Sequence, residues 1–209
     1  MNPKLNCCLA AFSVFVCGMI QAADEPKPEA TVATPAVGEA LPAFESTEDQ
    51  GLPWKSVDHV GKKVLVLFFY PGDFTGGCIK QVEAYRDGLK KLEDLGAEIV
   101  GVSGDEVATH KLFKETFDIK HALLSDTKGE LAKLLSVPVG AGGRANPMTA
   151  DRKPLLDADG KRIPIIREVT LDRWTIVVDR DGKIASRRKI ANPMTDSEEV
   201  FKIVEALPK

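Results

Sequence analysis

Val64-Leu-Val-Leu-Phe-Phe-Tyr-Pro-Gly-Asp-Phe-Thr-Gly-Gly-Cys78 is the stretch around which the chain is organised. It opens as an unbroken apolar run, Val64 to Phe69, too short for a lone helix and rich in β-branched and aromatic side chains. Such a run predicts a strand buried on both faces. Pro71, Gly72 and Gly76-Gly77 then break the strand, as these residues do wherever elements end. A helical pattern follows, with Cys78, Val82, Tyr85, Leu89 and Leu92 on one stripe. Cys78 is therefore expected in the first turn of a helix, at the carboxyl end of a central strand, facing inward.

That position has chemical consequences. The first turn of a helix carries unpaired backbone N–H groups and the positive end of the helix dipole. A thiol placed there has its pKa lowered from about 8.5, and the thiolate is the nucleophile. Thr75 lies three residues upstream, where its hydroxyl can reach the same spot as the sulfur. Dithiol oxidoreductases carry a second cysteine there, in C-x-x-C. Here the spacing is kept as Thr75-Gly-Gly-Cys78, which removes the disulfide-shuttling half of that chemistry. A cysteine on an apolar helix stripe is by default a small core hydrophobe; the strand, proline, glycine, threonine and helix around Cys78 favour an activated thiol instead.

Residues 1–23 read as a secretory signal peptide. Lys4 supplies a positive start, Leu5 to Ile20 is apolar and uncharged, and Gln21-Ala22-Ala23 offers small residues for cleavage. An uncleaved membrane anchor is the alternative, although the apolar stretch is slightly short for a span. Cys7, Cys8 and Cys17 all fall in this segment, so the mature chain is expected to be exported, periplasmic or secreted, with Cys78 as its one cysteine. One cysteine cannot form an internal disulfide, and an unpaired thiol in an oxidising compartment calls for a purpose. The remaining chain of about 185 residues suits one domain. A formal charge of −3 without a basic run argues against nucleic acid, and against an anionic membrane surface once the signal is removed.

Residues 24–39 are Pro-, Ala- and Glu-rich without periodicity and read as a flexible linker ahead of a domain over 40–209. Leu41 to Trp54 predicts short edge strands around a turn, and His59 reads as a solvated loop residue. Gly96 stops the Cys78 helix, Ala97 to Val102 makes a second buried strand, and Ser103-Gly104-Asp105 leads into a helix from Glu106 to Phe117. His110 on that helix has no second ligand at i+3 or i+4 and is placed at the surface. His121 to Leu124 predicts a short strand, with His121 structural, and a helix ends near Ser136. No spacing among the histidines and Cys78 suggests a zinc site, so neither a metal nor another cofactor is expected. Residues 137–172, punctuated by glycine and proline, read as an irregular insert: a lid, an interface loop or a carrier of hidden short elements. Ala145-Asn-Pro-Met-Thr149 recurs as Ala191-Asn-Pro-Met-Thr195, without a physical account. Trp174 to Val178 and Lys183 to Ile190 predict a hairpin turning at Asp179-Arg-Asp-Gly182. A last helix follows from Asp196 to Ala206, with Thr195 and Glu198 spaced as a capping box. The pattern predicts an α/β fold, a thioredoxin-like sandwich with a central mixed β-sheet flanked by helices.

Phe69-Tyr-Pro71-Gly-Asp-Phe-Thr75-Gly-Gly-Cys78 resembles the peroxiredoxin active-site pattern P-x-x-x-T-x-x-C, preceded by an aromatic-rich strand. Gln81 and Arg86-Asp87, Glu98 to Ser103, and Leu124-Ser-Asp-Thr-Lys-Gly129 resemble, in order, segments of the bacterioferritin-comigratory or thiol peroxidase Q branch. Arg173-Trp-Thr-Ile-Val-Val-Asp179 resembles the family's arginine-bearing strand, with Trp174 and Ile176 as unusual fillers. The resemblance covers roughly residues 36–207 and is more specific for the superfamily than for one branch. It implies a thiol-dependent peroxidase acting on hydrogen peroxide or organic hydroperoxides, with Cys78, Thr75, Arg173 and Pro71 as its catalytic residues. By similarity the Cys78 thiolate attacks the peroxide and becomes a sulfenic acid, Thr75 binds the peroxide, Pro71 shields the sulfur, and Arg173 stabilises the developing charge. Without that resemblance, Thr75 reads as a helix N-cap and Arg173 as a solvated arginine at a strand start.

One departure is informative. Many members of the branch carry a resolving cysteine five residues after the first, where this chain has Glu83. The resemblance then implies a one-cysteine enzyme whose sulfenic acid is reduced by an external thiol or thioredoxin-like protein, with a homodimer left open. The competing readings are an exported thioredoxin-fold thiol reductase, a copper chaperone, for which a second cysteine is missing, and a non-catalytic binding module.

Overall fold

The computed structural model describes residues 34–208, so the signal peptide expected at 1–23 and most of the linker expected at 24–39 lie outside the described residues. Strands β1 (Glu45–Glu48) and β2 (Pro53–Lys55) form an antiparallel pair, and the apolar run is strand β3 (Val64–Phe69). Helix α1 (Gly76–Asp94) leads to β4 (Ala97–Ser103), and helix α2 (Val107–Phe117) to β5 (Ala122–Ser125). A short helix α3 (Glu130–Leu134) precedes a separate hairpin of β6 (Val139–Ala145) and β7 (Ile165–Leu171). A second hairpin, β8 (Trp174–Val178) and β9 (Ile184–Lys189), is followed by helix α4 (Asp196–Glu205).

Seven strands make one mixed sheet in the order β2-β1-β5-β4-β3-β8-β9. β3, β4 and β5 run parallel, which requires crossover connections, here α1 and α2. β8 pairs antiparallel with the other edge of β3. With neighbours on both edges and helices or loops on both faces, all six residues of β3 are buried. Side chains alternate along a strand, so Val64, Val66 and Phe68 join Cys78, Val82, Tyr85, Phe113 and Val200 on one side. Leu65, Leu67 and Phe69 join Trp54, Leu131 and Leu135 on the other. Two cores served by one strand explain the absence of any polar alternation in its sequence.

Several elements differ from expectation. Gly38 donates to the carbonyl of Ile184, and Ile184 donates back to that of Glu39, so the end of the segment read as a linker is tied to the sheet edge. Segment 137–172 contains the β6–β7 hairpin; three glycines in Val139-Gly-Ala-Gly-Gly-Arg-Ala145 erase the alternation that reveals a strand. His59 is not a solvated loop residue. Its ring stacks on Trp54 at 4.2 Å and its Nδ1 lies 2.8 Å from Glu98. The capping box is absent, because the Thr195 hydroxyl donates to Glu199 at 3.1 Å rather than engaging Glu198. The two pentapeptide copies occupy unlike places, one leaving the end of β6 and the other in the turn before α4, so they mark no structural repeat.

His121 lies just ahead of β5, 4% exposed, edge-on to Phe68 and Tyr85, with neither ring nitrogen hydrogen-bonded. Burial, with Lys114 nearby, pushes its pKa down from 6.5 to about 3. The folded protein therefore keeps His121 neutral, whereas the unfolded chain binds a proton below about pH 6.5, and stability falls as pH falls between the two values. His121→Leu removes this liability. Its stability relative to the parent protein, from urea midpoints, should rise by up to about 1.4 kcal/mol per pH unit on acidification from about pH 6 to pH 4. A difference independent of pH would contradict the assignment.

Candidate active site

Between β3 and α1 the chain turns through Tyr70 to Thr75. Phe74 holds the left-handed conformation at φ 57°, which costs a bulky residue on the order of 1 kcal/mol. Its ring packs on Phe113 and Phe117 of α2, with centroids at 4.9 and 5.9 Å, and this aromatic contact anchors the kink. The kink starts α1 at Gly76, leaving Cys78 in its first turn with its side chain buried. Thr75 occupies the N-cap position without capping the helix: its hydroxyl donates to the carbonyl of Gly72 at 3.0 Å. With that proton engaged, the Thr75 oxygen can act only as an acceptor toward anything that approaches the sulfur. Pro71, half-buried, directly follows Tyr70 at the same strand end.

Arg173 immediately precedes β8, where Trp174 stands opposite Phe69, so the register of the antiparallel pair delivers it to the end of β3. Its Nη2 donates to Cys78 Sγ at 3.2 Å and its Nη1 to Gln81 Oε1. Gln81, one turn further along α1, donates through Nε2 to Asp196 Oδ2 at 2.8 Å. The same oxygen accepts the hydroxyls of Tyr85 and Thr175, each at 2.8 Å, while Arg188 lies 3.3 Å from Oδ1. A carboxylate only accepts, so Asp196 takes the amide nitrogen of Gln81 and leaves its oxygen for Arg173. Burial and then the Asp196 charge raise the Tyr85 pKa well above 10.0, so it remains a donor. The first turn of α1 thus holds the sulfur, the β7–β8 connection brings Arg173 onto it, and the start of α4 anchors Gln81 behind the guanidinium.

A second buried cluster stands beside the first. Asp73 accepts from the Tyr70 hydroxyl and from His110 Nδ1, each at 2.8 Å, and the other ring nitrogen of His110 faces the carbonyl of Leu124 at 3.2 Å. Two acceptors at the two nitrogens require an imidazolium. Burial opposes that charge, but Asp73 outweighs it, and the His110 pKa is raised. The surface position expected for His110 is therefore incorrect: the ring is fully buried. Its burial has a sequence signal, since His110, Phe113 and Phe117 fall on one helical stripe. Asp105 pairs with Arg167 at 2.7 Å and accepts the backbone N–H of Asp73 at 2.7 Å. Burial, then Asp73, raises the Asp105 pKa in spite of Arg167. Asp73 and Asp105 follow the carboxyl ends of the adjacent parallel strands β3 and β4, which is the signal that places them together.

A buried thiol beneath a guanidinium, with an acceptor hydroxyl close by in the chain, is suited to attack an electrophile that itself carries an O–H. Comparison with known proteins gives that chemistry its class. Residues 37–187 match the AhpC/TSA family, and the chain belongs to that family. It is 33% identical over 155 residues to chloroplastic peroxiredoxin Q of Oryza sativa subsp. japonica, a match covering 68% of this chain and 70% of that one. The match to chloroplastic peroxiredoxin Q of Arabidopsis thaliana, 42% over 101 residues, spans about half of each chain, 48% and 46%. Among solved structures, peroxidoxin BcpB from Mycobacterium tuberculosis shares the fold with a TM-score of 0.65 at 24% identity, over 84% of this chain and 99% of that one. Peroxiredoxin Q of Xanthomonas campestris does so with a TM-score of 0.62 at 21% identity, over 79% and 92%. The protein is a thiol-dependent peroxidase, an oxidoreductase of the peroxiredoxin Q kind.

Gln81→Met leaves Arg173 without its lateral anchor. A hydrogen bond to a charged group contributes about 1.5–3 kcal/mol, so reaction of the reduced protein with hydrogen peroxide should slow by at least about tenfold. The check is a competition assay against a peroxidase of known rate; an unchanged rate would show that Arg173 holds its place without Gln81.

Proposed function

We propose that this peroxidase works by a one-cysteine mechanism centred on Cys78. The observation that carries the reading is the 3.2 Å contact from Arg173 to a sulfur in the first turn of α1, in a chain with no other cysteine after residue 17. The Cys78 thiolate attacks the nearer peroxide oxygen; a S–O bond forms, the O–O bond breaks, and the leaving oxygen departs as water or an alcohol after protonation. Arg173 balances charge on the sulfur before attack and along the breaking bond during it. The Thr75 oxygen accepts the peroxide O–H, and Pro71 keeps water from the sulfur. Glu83 stands where a resolving cysteine would, so an external thiol condenses with the sulfenic acid and releases water. A second thiol then restores Cys78 and leaves as the disulfide. A small thiol or a thioredoxin-like protein fits that role. Lys4, the apolar segment after it and Ala22-Ala23 support export to the periplasm or beyond, with retention as a membrane anchor the alternative.

With the expected signal segment removed, no second cysteine remains to trap the sulfenic acid, which stays exposed to further peroxide. Mass spectrometry after a peroxide pulse should find Cys78 as sulfinic acid when no thiol is present, and as thiol or mixed disulfide when a small thiol is in excess. A stable disulfide-linked dimer as the sole product under both conditions would contradict the one-cysteine mechanism.

A further inference from the structure

The β6–β7 hairpin meets the active-site loop at Gly72 and the turn after β4 at Gly104, two residues that lack side chains. A Cβ on Gly72 would lie 2.3 Å from Arg167 Cζ, and one on Gly104 would lie 2.5 Å from the carbonyl oxygen of Val169. Both glycines are therefore obligatory for this close approach. Arg167, on β7, has a side chain only 3% exposed. Its Nε donates to Asp105 Oδ1 at 2.9 Å and its Nη2 to the carbonyl of Asp73 at 2.9 Å. Asp105 uses its other oxygen, Oδ2, to accept the Asp73 N–H at 2.7 Å and the Ser103 hydroxyl at 2.8 Å.

The Asp73 N–H and the Gly72 carbonyl belong to one peptide group, and a peptide group is planar. Fixing the N–H on Asp105 therefore fixes the direction of the carbonyl, and that carbonyl takes the proton of Thr75. We propose that Arg167 is a positioning residue for the peroxide reaction: through Asp105 and the Gly72–Asp73 peptide it sets the orientation of the Thr75 hydroxyl. Residue 167 lies in the segment read from sequence as an irregular insert, so the insert supplies part of the machinery that orders the site. The inference rests on the reading of Thr75 as the hydroxyl that meets the peroxide.

The test is a double-mutant cycle in the full chain, with Cys7→Ser, Cys8→Ser and Cys17→Ser leaving Cys78 as the only thiol. Hydrogen peroxide and iodoacetamide are each reacted with the parent, Arg167→Met, Thr75→Val and the double variant. Iodoacetamide needs the thiolate but has no O–H for Thr75 to accept. Arg167→Met should slow the peroxide reaction by at least about tenfold and leave alkylation within about twofold, and in the Thr75→Val background its effect on peroxide should shrink to about twofold or less. Arg167→Lys, which keeps one charged donor, should recover part of the peroxide rate. Equal slowing of both reagents, or a full additive penalty in the double variant, would overturn the proposal. Should Arg167→Met fail to fold, the cycle is read with Arg167→Lys, where any peroxide-specific loss must again vanish in the Thr75→Val background; additivity, or no loss, overturns it there. A Thr75→Val variant that reacts with peroxide at the parent rate would refute the Thr75 reading itself and the inference with it, whereas additivity removes the inference alone.

Discussion

A guanidinium 3.2 Å from a buried sulfur must be held against the attraction of water, and much of this fold can be read as the means of holding it. Among the described residues Arg173 has no carboxylate of its own as partner; it bonds the sulfur and the amide oxygen of Gln81. Behind Gln81 stands Asp196, which is also paired with Arg188 and bears on Arg173 through the oriented Gln81 amide. A carboxylate in direct contact would neutralise the guanidinium and weaken its pull on a thiolate. Interposing an amide fixes the geometry while leaving the positive charge directed at the sulfur.

This arrangement makes remote elements interdependent. Asp196 is the first residue of α4, and its Oδ2 gathers donors from α1, through Gln81 and Tyr85, and from β8, through Thr175. Docking of the last helix is thus coupled to the position of the arginine. The Asp73, Asp105, His110 and Arg167 cluster does the corresponding work for the loop, joining β3, β4, α2 and the β6–β7 hairpin. Two carboxylates, one imidazolium and one guanidinium sum to no net charge, which is how four ionisable groups are buried together without leaving an uncompensated charge. Each cluster has the cost of desolvation and the benefit of directionality, and both lie at the end of the sheet where the active-site loop begins.

What was legible in the sequence is what local physics writes into neighbouring residues. A two-sided core strand is visible in Val64 to Phe69 because both faces demand apolar side chains, and the place of Cys78 follows from the strand break and the helical stripe after it. Thr75 was singled out by its three-residue spacing from Cys78, whereas its peroxide-binding role and the choice of Arg173 came through a family resemblance, and the structure brings Arg173 onto the sulfur. The partners that orient them are non-local: Asp196 lies 115 residues from Gln81, and Arg167 lies 62 from Asp105. Arg167 nevertheless leaves a trace. In Ile165-Ile-Arg-Glu-Val-Thr-Leu171 it shares the phase of Ile165, Val169 and Leu171, so a charge stands at an inward position. The glycine-rich partner strand hid that phase by hiding the hairpin. His110 was misplaced for a related reason: a search for metal ligands looks for another histidine or carboxylate on the same helix, whereas its partner, Asp73, sits on a different element.

The most direct test of this account is stopped-flow tryptophan fluorescence of the reduced protein, carrying Cys7→Ser, Cys8→Ser and Cys17→Ser, mixed with hydrogen peroxide beside the same chain with Cys78→Ser. Trp174 adjoins Arg173 and stacks beneath Arg187 at 4.3 Å, so it reports on the ground around the sulfur. The account predicts a fast change whose rate rises linearly with peroxide and which is absent from the Cys78→Ser chain. A confirmed reduced Cys78 that reacts no faster than a small thiol in solution would contradict it.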